Sequence, residues 1–310
     1  MKKSSFTAAV VGLLLASGAQ AEPSETIEVT AERLSRSVLK RESTQFILDT
    51  LPDTVSGQHA RWESPICVTA FGIPESRAKL FSGRVIEVAR HVGVRVDEKA
   101  DCEPNVTIVF TGDARALMAD LTKRRPLAFD PLNGRDRKLI LKSDLPVRWW
   151  HYTDVNGSDG RQMSNLPAGG AGVLANQPYR VLNNTRATRL ESNVQAVITG
   201  AVIVVDVPRV EAVPLLPLTD YVAMVTLSRV RLGAADRPEG SIMRLIGGTE
   251  AGTPAPEGIT ALDEALLVSL YKTKGNLEAS SQRARMAAVM ADRITDDPEV
   301  QSAGANLPKP

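Results

Sequence analysis

Side chains able to do chemistry are few in this chain and widely spaced. The only histidines are His59, His91 and His151, and three scattered imidazoles make no ligand signature. The only cysteines are Cys67 and Cys102. Neither belongs to a Cys-x-x-Cys pair, which leaves one structural disulfide as the favoured reading over a metal site or a reactive thiol pair. Closing a loop of that size stabilises a fold by about 4 kcal/mol in the chain-entropy picture. The densest aromatic cluster is Arg148-Trp149-Trp150-His151-Tyr152. Trp149, Trp150, His151 and Tyr152 form a candidate binding surface, either a stacking platform for a sugar or an anchor on a partner. Strand alternation explains the same pattern without a ligand, with Trp150 and Tyr152 on one side, Trp149 on the other, and all three filling a core.

Other motifs fail on spacing. Asp154-Val155-Asn156-Gly157-Ser158-Asp159-Gly160 has the composition of a calcium loop. Its glycine falls one place late, and Asn165 stands where the closing glutamate is needed, so it reads as a tight turn. Gly169-Gly170-Ala171-Gly172 lacks the Lys-Ser/Thr of a phosphate loop. There is no Gly-x-Ser-x-Gly elbow and no supported Ser-x-x-Lys motif. An envelope hydrolase with a site near His151 is the alternative function, but its Ser–His pair would have to be assembled in space.

The elements that would position a site lie between Leu218 and Thr273. The pattern there predicts a helix over Thr219–Leu232, a linker carrying Ser241-Ile242-Met243, and Ile259-Thr260-Ala261-Leu262-Asp263 leading into a helix that ends near Tyr271. Ala223, Leu227 and Val230 make one apolar stripe, and Thr219 or Asp220 is placed to cap its start. In order and spacing this stretch resembles the zinc peptidases of the metzincin type, matrixins among them. Those carry His-Glu-x-x-His-x-x-Gly-x-x-His, then a Met turn, then a short Leu-Thr-x-x-Asp helix ending in Leu-Tyr. Ala223 to Ala234 is similar to the first motif, Leu232-Gly233 to its Leu-Gly, Ser241-Ile242-Met243 to the Met turn, and Leu270-Tyr271 to the closing pair. A group of bacterial secreted proteins looks similar in the same way.

The resemblance implies a zincin-like architecture whose chemistry has been lost. The three histidine positions hold Met224, Ser228 and Ala234, the general-base position holds Val225, and Met243 is the Met of the turn. A catalytic zinc needs three good ligands and a carboxylate to take a proton from its water. These side chains supply neither. The expectation is a non-catalytic protein, with no cofactor, that keeps the scaffold for binding a peptide, a glycan or another envelope protein.

Residues 1–21 read as a signal peptide. Lys2 and Lys3 are its basic start, Ala8–Ala16 its apolar core, and Ala19-Gln20-Ala21 the cleavage site, which implies a periplasmic or secreted protein cut after Ala21. Removing the two lysines leaves 35 basic against 36 acidic residues. That balance gives no electrostatic footprint for nucleic acid, and no later apolar run is long enough for stable membrane insertion. Thr26-Ile27-Glu28-Val29-Thr30-Ala31 resembles the segment by which outer-membrane receptors engage an energy-coupling protein, but the many alternating strands of such a barrel are missing.

The fold class expected is α+β, a mixed sheet packed with helices. Residues 22–58 read as a polar, partly disordered linker with a weak helix over Ser35–Asp49, and 59–274 as a single domain with a metallopeptidase-like core at 194–273. Residues 275–310 read as a weak helix, Glu278–Ile294, and a disordered tail. Inside the domain the pattern predicts strands at Arg61-Trp62, Ile66–Ala70, Val94–Val96, Asn105–Phe110, Lys138–Lys142 and Arg148–Tyr152. Arg180–Glu191 and Val194–Val207 read as a strand pair, the second covered on both faces. Helices are expected at Arg77–Val92, stopped by Gly93, and at Ala114–Lys123, opened by Asp113.

Overall fold

Val194–Asp206 is thirteen residues of almost unbroken apolar and β-branched sequence, and it forms the strand on which the sheet is built. The computed structural model describes residues 25–51, 53–130, 132–161, 164–166, 179–181, 191–233, 237–247 and 254–296. The strands are β1 (Arg61–Trp62), β2 (Val68–Phe71), β3 (Val106–Thr111), β4 (Val147–Gly157), β5 (Ser164–Leu166), β6 (Tyr179–Val181) and β7 (Val194–Asp206). The helices are α1 (Glu25–Thr50), α2 (Glu75–Val92), α3 (Ala114–Arg124), α4 (Gly134–Lys142), α5 (Leu215–Leu227), α6 (Ala261–Lys272) and α7 (Ala279–Asp296), with 3-10 turns at Pro126–Phe129 and Ile242–Leu245 among the shorter pieces.

The architecture is α+β, with a mostly parallel five-stranded sheet. Antiparallel β4 runs along one whole side of β7, from Val147 opposite Val205 to Gly157 opposite Val194. The other side is therefore shared by β1, at Val197 and Ile198, and β3, from Ala201 to Asp206, both parallel to β7. Strand β2 continues the sheet beyond β3, also in parallel. Burial on both faces explains why β7 reads as a run rather than an alternation. Its pairing partner is β4, not the Arg180–Glu191 segment. Of that segment β6 pairs with β5, and residues 182–190 lie outside the described residues.

The two tryptophans of β4 report the two layers, because neighbouring strand residues point to opposite faces. Trp149 meets Tyr221 of α5 edge-on, with ring centroids 6.0 Å apart. Trp150 packs on Phe129 of the 3-10 turn that follows α3, at 5.4 Å. Helix α5 packs on β7 on the Trp149 face, with α2 and α6 beside it. A single apolar stripe does not describe α5. Every residue from Pro217 to Leu227 is buried, so it is a core helix with no wet face there.

Three regions differ from the expectation. The helix expected only over Ser35–Asp49 of a polar linker runs over Glu25–Thr50, and Ser43, Phe46, Ile47, Thr50 and Leu51 are buried at helical spacing. The chain divides into two units, Met1–Ser35 and Arg36–Pro310, and these buried residues belong to the second. Lys138–Lys142 lies in α4 rather than a strand, because the Asn133 side chain accepts from the Asp136 N–H at 2.8 Å and starts a helix. Residues 279–296 are a full helix rather than a weak one. Met286, Ala287 and Met290 are fully buried, and α7 packs against α6. The signal segment 1–21, Gly169–Gly172 and the tail from 297 lie outside the described residues. Of Thr26–Ala31, the backbone is helical.

Candidate functional site

The candidate site is the C-terminal half of α5 together with the turn and helix that follow it. Met224, Val225 and Ser228, at the first ligand, base and second ligand positions of the peptidase alignment, are all 0% exposed. Ala234 lies outside the described residues. The helix stops at Leu227, short of the predicted Leu232, and Ser228 is already extended. The Ser228 hydroxyl turns back to donate to the Met224 carbonyl at 2.8 Å and also contacts the Met224 sulfur at 4.0 Å. These positions are packed interior.

Helix α5 ends in the core, where its last carbonyls would lack donors. Aromatic side chains from two elements supply donors to them, and a third serves the chain just beyond. Trp62 of β1 donates its indole N–H to Thr226 O at 2.9 Å, and Tyr271 of α6 its hydroxyl to Leu227 O at 2.5 Å. Trp149 of β4 donates to Val230 O at 3.1 Å. His151 lies beside the backbone of Val225 and Thr226, and its Nε2 is buried without a partner. Burial, with a smaller push from the Arg229 guanidinium, lowers its pKa to about 3, so the ring is neutral at ordinary pH.

This overturns the candidate binding surface. Trp149 and Trp150 are each 3% exposed and His151 is 9% exposed. Tyr152, half-buried, gives its hydroxyl to Ala128 O at 3.1 Å. Trp150 and Tyr152 contact the Pro126–Phe129 turn, while Trp149 and His151 contact α5. The alternation expected of a core strand is the one observed, with Trp149 and Tyr152 donating to the Val230 and Ala128 carbonyls and the Trp150 indole N–H buried without a partner.

The turn beneath α5 is held by one carboxyl. Asp263, fully buried, accepts from the Ser241 hydroxyl and the Ile242 N–H, both at 2.6 Å. It also accepts from the Thr260 hydroxyl at 2.9 Å and the Thr260 N–H at 3.2 Å, the second bond being half of a capping box that starts α6. Burial pushes this carboxyl above its ordinary pKa, and the four donors pull against that rise. Met243 is thereby seated against α5, wholly buried. At the other end of α5, Asp220 receives the Arg84 guanidinium of α2 and the Ile259 N–H, tying three segments together.

Residues outside the motif do comparable work, and no sequence pattern marks them. The Arg148 guanidinium is 1% exposed and donates to Ile140 O, Leu145 O and Ser143 O at 3.1, 2.7 and 2.7 Å, which caps the C-terminus of α4. Arg61 caps α6 in the same way, through Leu270 O, Tyr271 O and Thr273 O. Apart from Glu63, which its Nε meets at 2.6 Å, these partners lie more than 200 positions away, so nothing local announces the cap. Cys67 and Cys102 form a disulfide, Cα atoms 6.0 Å apart, tying the entry of β2 to the loop before β3.

The donor set does not fit zinc. A thioether, an isopropyl group and a hydroxyl already bonded to a carbonyl supply neither the imidazoles nor the carboxylate that a catalytic zinc site requires. Comparison with known proteins gives no match among protein-family models, curated proteins or solved structures.

Proposed function

We propose that this chain is an exported, non-catalytic protein that uses a degenerate metallopeptidase-like scaffold for binding in the cell envelope. The observation that carries the reading is the complete burial of Met224, Val225 and Ser228 at three of the four positions that would hold a metal and its base. Two further features support it. The spatial sequence of long strand, buried helix, Met243 turn and capped closing helix follows the order in the motif resemblance. The interior that replaces the ligands is well packed and hydrogen-bonded rather than merely emptied. Export is supported by the disulfide, which suits an oxidising compartment, and by the signal pattern of residues 1–21. Among the described residues no helix is long and apolar enough to cross a membrane.

The partner class is an envelope protein, a peptide or a glycan, and not nucleic acid. Metal analysis after dialysis against excess zinc, paired with hydrolysis of an unstructured protein substrate, tests the reading. The expected outcome is far below one zinc per chain and no hydrolysis. One zinc per chain, lost in Ser228→Ala, would contradict it.

A further inference from the structure

The carboxyl ends of β2, β3 and β7 point at one crevice of about 540 Å³, a volume usual for a small-molecule site. In open sheets with parallel strands this edge is where ligands bind. Ile73, Phe81, Phe110, Val210, Val213 and Leu218 line it. Among the described residues the only charged side chains in the lining are Arg77, in the first turns of α2, and Glu211. Both are exposed, and neither has an ion-pair partner among the described residues. Among the described residues the lining has no hydroxyl or amide side chain.

The surface around the crevice is equally unusual. Among the described residues seven large hydrophobics are exposed, and two of them line the crevice. These are Val207, 38% exposed, and Leu215, 40% exposed. Apolar surface concentrated at a concave site marks a binding surface.

We propose that this crevice binds one aliphatic-chain carboxylate, with its chain along the apolar floor and its carboxylate at the Arg77 guanidinium. The lining selects this occupant. A bound peptide would bring backbone N–H and C=O groups that need partners, and the lining side chains offer only two polar groups for them. A hydrocarbon chain needs none, and its single negative charge matches the unpaired guanidinium, with exposed Glu211 left to water. The crevice involves the first turn of α5, about 15 Å by helical rise from Ser228. The proposal therefore stands whether or not the metal-site reading does.

Calorimetric titration of the full chain with dodecanoate below its micelle concentration tests it, with dodecanol and butanoate as comparison ligands. Saturable one-to-one binding of dodecanoate is expected, with butanoate giving none. Arg77→Met should weaken dodecanoate about fivefold and leave dodecanol unchanged, the effect of one solvent-exposed ion pair. Val213→Trp, which fills the crevice from a half-buried position, should weaken both long-chain ligands at least tenfold, and Leu215→Gln at the exposed rim gives a second variant that spares the core. Absence of saturable binding would overturn the proposal. So would dodecanoate affinity unchanged in Arg77→Met, or a dimer in solution that Leu215→Gln dissociates, since the crevice would then be covered by a second copy.

Discussion

At the scale of single residues, the chain uses polar side chains to close helix ends inside the core. The sequence holds three scattered histidines, of which only His151 is a candidate base. Two of them are instead neutral interior groups. Burial first, then Arg283 and Arg229, lowers the His59 pKa to about 4, and burial lowers that of His151 to about 3. In the unfolded chain both return to about 6.5. Between pH 6.5 and 4 the unfolded state therefore binds protons that the folded state refuses, and stability falls as the pH falls. Each tenfold rise in proton concentration across that window costs about 1.4 kcal/mol per histidine, so each takes roughly 3 kcal/mol from the fold by pH 4. Proton NMR should show the His59 and His151 ring signals unmoved from pH 7.5 to 5, with urea midpoints already declining over that range. Ring signals titrating near 6.5 would contradict the burial of these imidazoles.

At the scale of elements, legibility follows locality. Asp113 is visible as the start of α3 because its side chain bonds an N–H three residues on, at 2.9 Å. Thr260 and Asp263 are visible for the same reason, and Gly93 because its left-handed φ of 89° ends α2. The pairing of β7 with β4 is not visible, since nothing in either strand names its partner across the intervening chain. Helix α4 reads as a strand because Leu139-Ile140-Leu141 is too short an apolar run to distinguish the two. Nor do its neighbours show that the end of α4 rests on Arg148. Replacing Arg148 with methionine keeps an unbranched apolar stem and removes every donor, stranding the Ile140, Ser143 and Leu145 carbonyls. The expected cost is about 3 kcal/mol in urea unfolding. Arg148→Lys should recover only part of it, because one ammonium cannot reproduce the planar fork. Stability within about 0.5 kcal/mol of wild type for Arg148→Met would show that these carbonyls find other donors.

At the scale of the molecule, one core takes in α2, α5, α6 and α7 together with both faces of β7. The C-terminal helix belongs to it, although its composition alone marks it as marginal. What can be read from the residues at this scale is the fold class and the order of the last elements. The aromatic run looks like a surface because Trp and Tyr are used for both recognition and packing, and only the position of α5 decides between them. The same helix decides the functional reading. If the ligand positions of a metallopeptidase have become interior, a probe placed there will find no solvent. The native cysteines are both in the disulfide, so Ser228→Cys introduces a single thiol. Maleimide labelling of folded Ser228→Cys should be at least a hundredfold slower than that of an exposed control, Ser76→Cys, and should reach the control rate only in denaturant. Labelling of the folded protein at the control rate would mean that an open cleft survives beside Met224, and the account of a filled site would be wrong.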